Sequence, residues 1–182
     1  MRIHFVYDFI QRLAGAESVS RRIRPILAEA DGALVLDAGA GTGRYQALLP
    51  SSARYVWLDT DSKKLAGFRA KSSAPAILGD ATQIPLRDGS VDWALAIGMS
   101  HHLDDEEFSR TLDELRRVVV HRLLFLEPLQ TSSYRSRLLW RYDPGRHPRS
   151  ADVLRSQLAL RFEILSDEEF TVHHRYLLVT AV

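Results

Sequence analysis

The stretch LVLDAGAGTGRY, residues 34–45, constrains this chain more than any other. A short apolar run passes into Asp37, Gly39, Gly41 and Gly43, with Ala40 between them. Glycine costs backbone entropy and packs no surface, so a core strand gains nothing from this pattern. It reads instead as a strand, a tight loop and a helix start, with a ligand lying against the backbone near the helix N-terminal amides. A purely structural strand-to-helix turn is the alternative at this point, and a dinucleotide fold opens the same kind of corner. A triphosphate loop is not, because no Gly-Lys-Ser/Thr follows.

The rest of the chain supplies a rhythm. Apolar runs recur at Leu34–Asp37, Tyr55–Asp59, Ala76–Leu78, Val91–Ile97 and Arg122–Glu127, and helical stretches at 44–49, 62–70 and 104–119 separate most of them. In DDEEFSRTLDELRRVV, Phe108, Leu112, Leu115 and Val119 repeat at three and four, with acids at the start and arginines at the end. Residues 18–30 carry another helical stripe, weakened by Pro25, and with a short helix near Tyr7–Leu13 they make 1–30 an N-terminal helical segment. SADVLRSQLAL reads as a helix, and residues 161–182 as two strands forming an antiparallel pair at one sheet edge. Strands alternating with helices predict an α/β fold with a mostly parallel sheet covered on both faces. With 182 residues and no linker, the expectation is a single domain, 1–182.

Two acids follow the glycine loop at telling places. Asp59 ends the second apolar run, where a carboxylate can accept hydrogen bonds from ribose hydroxyls, and Thr60 lies beside it. A solvent-facing loop acid is the plain alternative for Asp59, and Asp61 reads as a helix N-cap. After the third run, Asp80 can accept from an exocyclic amine while the Ala81 amide reaches a ring nitrogen.

Taken in order, VLDAGAGTGRY, VWLDTD, GDATQIPLRDGSVDWALAIGMSHHL and RLLFLEP closely resemble the class I methyltransferases that use S-adenosylmethionine, especially the small-molecule enzymes. The resemblance spans about 34–128. It implies a Rossmann-like, seven-stranded, mostly parallel sheet with an antiparallel C-terminal strand and helices on both faces. It implies S-adenosyl-L-methionine as cofactor and S-adenosyl-L-homocysteine as product. On that resemblance Asp37 organises the loop near the methionine amino end, and Gly39, Ala40, Gly41 and Gly43 line the cofactor's backbone side. Asp59 and Thr60 hold the ribose, Asp80 and Ala81 read adenine, and Ile97, Gly98 and Met99 close over the methionine. One departure stands out. Members often carry a proline-glycine-glycine turn before the fifth strand; here VVVHRLLFLEP demands a tighter or shifted connection around Val120 and His121.

The acceptor side rests on individual residues. His101 and His102 follow the fourth strand, where a neutral imidazole can take a proton near neutral pH; packing in the loop is the alternative role. Residues 129–150 form a candidate lid or acceptor-binding insertion. Tyr7, Tyr134, Trp140 and Tyr142 are candidates for an apolar wall. Arg137, Arg141, Arg146 and Arg149, with His147, could hold an anionic acceptor, or form ordinary solvated surface.

Composition narrows the remainder. No cysteine is present, and His173 and His174 point to opposite faces of a strand, so no metal site is expected. The lack of cysteine fits a cytoplasmic chain, and no apolar run is long enough to span a membrane. A formal charge of +1 argues against a nucleic-acid partner. The expected function is therefore methyl transfer to a small-molecule acceptor, anionic if the arginines serve it, at oxygen or nitrogen. An RNA acceptor is the alternative, as is a non-catalytic, cofactor-binding partner subunit. Both a partner protein and a homodimer are compatible with the sequence.

Overall fold

The computed structural model describes residues 16–130, 140–141, 145–172 and 174–182. Its elements are α1 (Ala16–Leu27), β1 (Leu34–Ala38), β2 (Arg54–Asp59), α2 (Ser62–Arg69), β3 (Ala76–Leu78) and β4 (Val91–Ile97). They continue with α3 (Asp105–Val118), β5 (Val119–Leu129), α4 (Ala151–Ala159), β6 (Ile164–Thr171) and β7 (Arg175–Ala181). Two 3₁₀ turns, Arg44–Leu48 and Ser100–His102, follow β1 and β4.

The strands form one sheet in the order β3–β2–β1–β4–β5–β7–β6. The first five run parallel, and β7 lies antiparallel between β5 and β6. This is the Rossmann-like, seven-stranded arrangement expected from the sequence. Burial on both faces explains why its central strands are almost continuously apolar. Val35, Leu95, Leu124 and Leu126 pack with Val19, Ile23 and Leu27 of α1. Their neighbours Leu36, Ala94, Leu123 and Phe125 pack on the opposite face with Phe108, Leu112 and Leu115 of α3 and Leu154 and Leu158 of α4. Each fully buried aliphatic side chain stabilises the fold by about 1.5–3 kcal/mol.

Boundaries differ from expectation where local chemistry intervenes. The 44–49 helix is a 3₁₀ turn because Pro50 forces Leu49 into an extended conformation (ψ 153°) and stops the winding. The α3 capping box is complete: Asp104 accepts from the Glu107 amide at 2.8 Å, and Glu107 accepts from the Asp104 amide at 2.9 Å. At its other end α3 passes into β5 with no intervening residue. Val119, placed by periodicity in the helix, is the first strand residue. β5 therefore starts three positions earlier than the apolar run suggests, and a register shift against β4 between Val91 and Trp93 absorbs the excess. Arg117 secures the junction by donating to the carbonyls of Ile84 (2.9 Å) and Leu86 (2.8 Å). Among the described residues no helix is long and apolar enough to cross a membrane.

Candidate functional site

The sheet order reverses at β1: β2 and β3 extend to one side, β4 and β5 to the other. Loops leaving the carboxyl ends of β1 and β4 diverge there, which opens a crevice in sheets of this kind. Asp37, Asp59, Ile97 and Glu127 all stand at or near those carboxyl ends.

The glycine loop is fixed by the protein itself. Asp59, only 8% exposed, accepts from the Gly41 amide at 2.8 Å and from the Asp61 amide at 2.9 Å. The Trp57 indole donates to the Gly41 carbonyl at 3.0 Å, so the peptides on both sides of Gly41 are pinned. Each Asp59 oxygen accepts one of these bonds, and a carboxylate oxygen can accept two, which leaves capacity for ligand hydroxyls. Lys64 lies 3.6 Å away. Asp61 caps α2, accepting from the amides of Lys63 and Lys64.

The glycines divide into two kinds. All have positive φ, but a Cβ on Gly43 would sit 2.4 Å from the Phe68 ring and one on Gly39 would sit 2.9 Å from Met99. Among the described residues, a Cβ on Gly98 would meet no atom within 4 Å, and one on Gly41 only the Gly39 carbonyl at 4.0 Å. Gly39 and Gly43 are therefore required by packing, whereas beside Gly41 and Gly98 the described residues leave open space. Asp37 is buried and accepts from the Tyr55 hydroxyl at 2.5 Å. Burial pushes its carboxyl up from 3.8 to about 7, against the lowering effect of the Tyr55 bond and with a further push from Asp59. An open cradle, an acid with spare acceptor capacity and a carboxyl ready to ionise beside a cation suit S-adenosylmethionine.

Other residues expected on this side are more peripheral. Asp80 is exposed beyond the end of β3 and accepts from the Thr82 amide at 2.8 Å. The Ala81 side chain is buried in the core, and Thr60 is exposed. Ile97 and Met99 are buried, with Met99 lying under Gly39.

Across the crevice, His101 and His102 have different surroundings. His101 is buried with its Nδ1 against the Glu127 carboxylate; the other Glu127 oxygen accepts from the Ser100 amide at 3.0 Å. With the carboxylate as acceptor, Nδ1 is the donor of this pair. His102 is exposed, its ring centroid 4.2 Å from that of His101. Trp140 meets His101 edge-on at 5.3 Å, and its buried indole N–H has no hydrogen-bond partner among the described residues. Sequence reasoning missed Glu127. Its signal was an acid closing the otherwise apolar run LLFLE, where a buried charge requires a partner.

The arginine cluster is not one unit. Arg141, Arg146 and His147 are exposed. Arg149 departs from its expected acceptor role, because its side chain is 6% exposed and bonded to the Ser100–Leu103 turn. Tyr7, Tyr134, Arg137 and Tyr142 lie outside the described residues. No group of three or more His, Asp or Glu among the described residues could hold a metal.

A family model described as "Methyltransferase domain" matches residues 36–122. The tRNA (carboxymethyluridine(34)-5-O)-methyltransferase of Arabidopsis thaliana is 31% identical over 124 residues, 64% of this chain but 30% of that enzyme's length. A Pyrococcus horikoshii protein superposes with a TM-score of 0.76 at 18% identity, covering 91% of this chain and 89% of that one. A methyltransferase from Haloferax volcanii, solved in complex with the Trm112 methyltransferase activator, gives 0.73 at 17% identity, covering 84% and 83%. The Arabidopsis relative corrects the expectation that weighed against a nucleic-acid partner. Net charge was the wrong measure. Arg155 with Asp167 and Glu169, Arg161 with Asp113, and Arg117 with Glu114 neutralise one another in pairs, so the sum says little about any one face.

Proposed function

We propose that this chain is a class I S-adenosylmethionine-dependent methyltransferase that methylates an oxygen on RNA, a carboxylate-bearing uridine of tRNA being the first candidate. The observation that carries the acceptor class is the 31% identity over 124 residues to a tRNA methyltransferase. The small-molecule acceptor expected from the sequence is the reading that this relative does not favour.

The bound cofactor supplies a methyl group on a positively charged sulfur. The chain's task is to hold the acceptor oxygen in line with it and to exclude competing water. Asp59 receives the ribose hydroxyls, Asp80 and the Ala81 amide read the base, and Asp37 faces the ammonium end. Gly41 and Gly98 let the backbone come close.

An ordinary carboxyl is ionised above about pH 4, so a carboxylate acceptor has no proton to lose. It needs one oxygen held while the other lies in line. His101 does this in its charged form, donating from Nδ1 to Glu127 and from Nε2 to the acceptor. With a hydroxyl acceptor the neutral ring would instead take the proton at Nε2. Exposed Arg146 and His147 adjoin the His101 turn, through the His147 amide that donates to the His101 carbonyl at 3.0 Å, and would meet the acceptor strand's phosphates.

Labelled methyl donor, incubated with tRNA containing carboxymethylated uridine, is expected to give a labelled nucleoside ester by mass spectrometry. A folded protein that binds S-adenosylhomocysteine yet labels no RNA would overturn the acceptor assignment.

A further inference from the structure

We propose that Arg149 is a positioning residue, tying the seat of segment 145–150 to the aim of His101. This rests on the acceptor-side role assigned to His101 above. The guanidinium has five N–H donors, and the protein takes all of them. Nη1 donates to Ser100 O at 2.8 Å and His147 O at 3.3 Å; Nη2 donates to Leu103 O at 2.9 Å and Asp105 Oδ1 at 2.7 Å; Nε donates to Asp105 Oδ1 at 3.0 Å. The guanidinium also stacks over the Phe108 ring, 4.5 Å from its centroid. Nothing is left over for an incoming phosphate or carboxylate.

Those bonds close on one small target. The Ser100 and Leu103 carbonyls flank His101 and accept from Arg149, and the carbonyl of His101 itself accepts from the His147 amide. From the opposite side Glu127 holds the Ser100 amide and His101 Nδ1. The turn is thus clamped between β5 and the strap that leads into α4. Any displacement of the strap is passed to the imidazole through the rigid guanidinium fork, a geometry that a lysine ammonium cannot reproduce. Among the described residues, the groups set around the ring include Glu127 from β5, His102 and Trp140 beside it, and the Arg149 charge behind its backbone.

The test compares wild type with Arg149→Gln, Arg149→Lys and Asp105→Asn. The His101 Nδ1 proton is followed by NMR on ¹⁵N-histidine protein, S-adenosylhomocysteine affinity by calorimetry, and methyl transfer by label. In Arg149→Gln the Nδ1 signal should shift or broaden, cofactor affinity should stay within about twofold, and kcat should fall about 10–100-fold at nearly constant KM. Lysine should rescue only partly. An unchanged His101 signal and titration in Arg149→Gln would overturn the proposal, as would a raised KM with kcat intact, the mark of an acceptor ligand. If Arg149→Gln does not fold, Asp105→Asn decides by the same signal, since it removes the carboxylate charge paired with the fork and leaves the arginine in place. A wild type that methylates no RNA while Arg149→Gln still disturbs His101 would sink the acceptor assignment and leave the positioning role standing.

Discussion

On the β1–β2 side of the crevice, Asp59 reaches the Gly41 amide across 18 positions of sequence, and both groups belong to adjoining strand ends. On the β4–β5 side, Glu127 reaches His101 across 26 positions and Arg149 reaches Ser100 across 49. The first half is made of backbone amides, small residues and two acids, and its shape is set by peptide geometry. The second half is made of side chains delivered by separate elements onto one short turn. A domain built this way can keep its cofactor while its acceptor changes.

The comparison breaks most visibly at His101. His101→Ala should lower the transfer rate by about 10²–10³-fold, the usual cost of losing a directed donor, while S-adenosylhomocysteine affinity stays near wild type. Equal loss of both would mean that the halves are not separable. Asp59→Ala attacks the other half, and there calorimetry should show cofactor affinity reduced by about 3 kcal/mol, near 100-fold, because two charge-assisted bonds and the loop's anchor go together. The His101–Glu127 signal should persist in that variant.

Asp37 gives a smaller effect with a definite sign. It keeps its proton in the folded protein up to about 7, whereas the ordinary carboxyl value is 3.8. Between those values the unfolded chain binds fewer protons, so stability of the cofactor-free protein should fall as pH rises and level off above about 7. A cationic group beside Asp37 favours the ionised carboxyl. Cofactor affinity should therefore rise with pH by up to about tenfold per unit until Asp37 is ionised, and Asp37→Asn should flatten that dependence. The finest contrast lies within the loop. Gly43→Ala should cost about 1–3 kcal/mol of stability in denaturant melts through its clash with Phe68. Gly41→Ala should cost about 1 kcal/mol of stability, from backbone strain alone, and show its larger loss in cofactor binding.

Much of this was legible before any coordinates. Strand limits at Ala76–Leu78 and Val91–Ile97 coincide with the apolar runs, because buried parallel strands must be apolar and turn residues bound them. The acceptor half was harder to read. His101 and Arg149 could be named, but not their environments: which of two adjacent histidines is buried depends on a 3₁₀ turn, and Arg149 found its partners on a different element. The α3–β5 junction shows the same limit, since the apolar spacing that marks a helix also suits the first residue of a buried strand.

By itself the sequence determined the order of strands and helices, the glycine corner and the acids that attend it, because those follow from side-chain periodicity and short-range backbone sterics. Only the tertiary structure decided that Glu127 orients His101, that Arg149 is fully spent on the turn, and that Gly41 and Gly98 guard open space while Gly39 and Gly43 relieve crowding. The reason is that a hydrogen-bond partner or an empty volume is a property of where distant segments meet, and local sequence carries no record of that meeting.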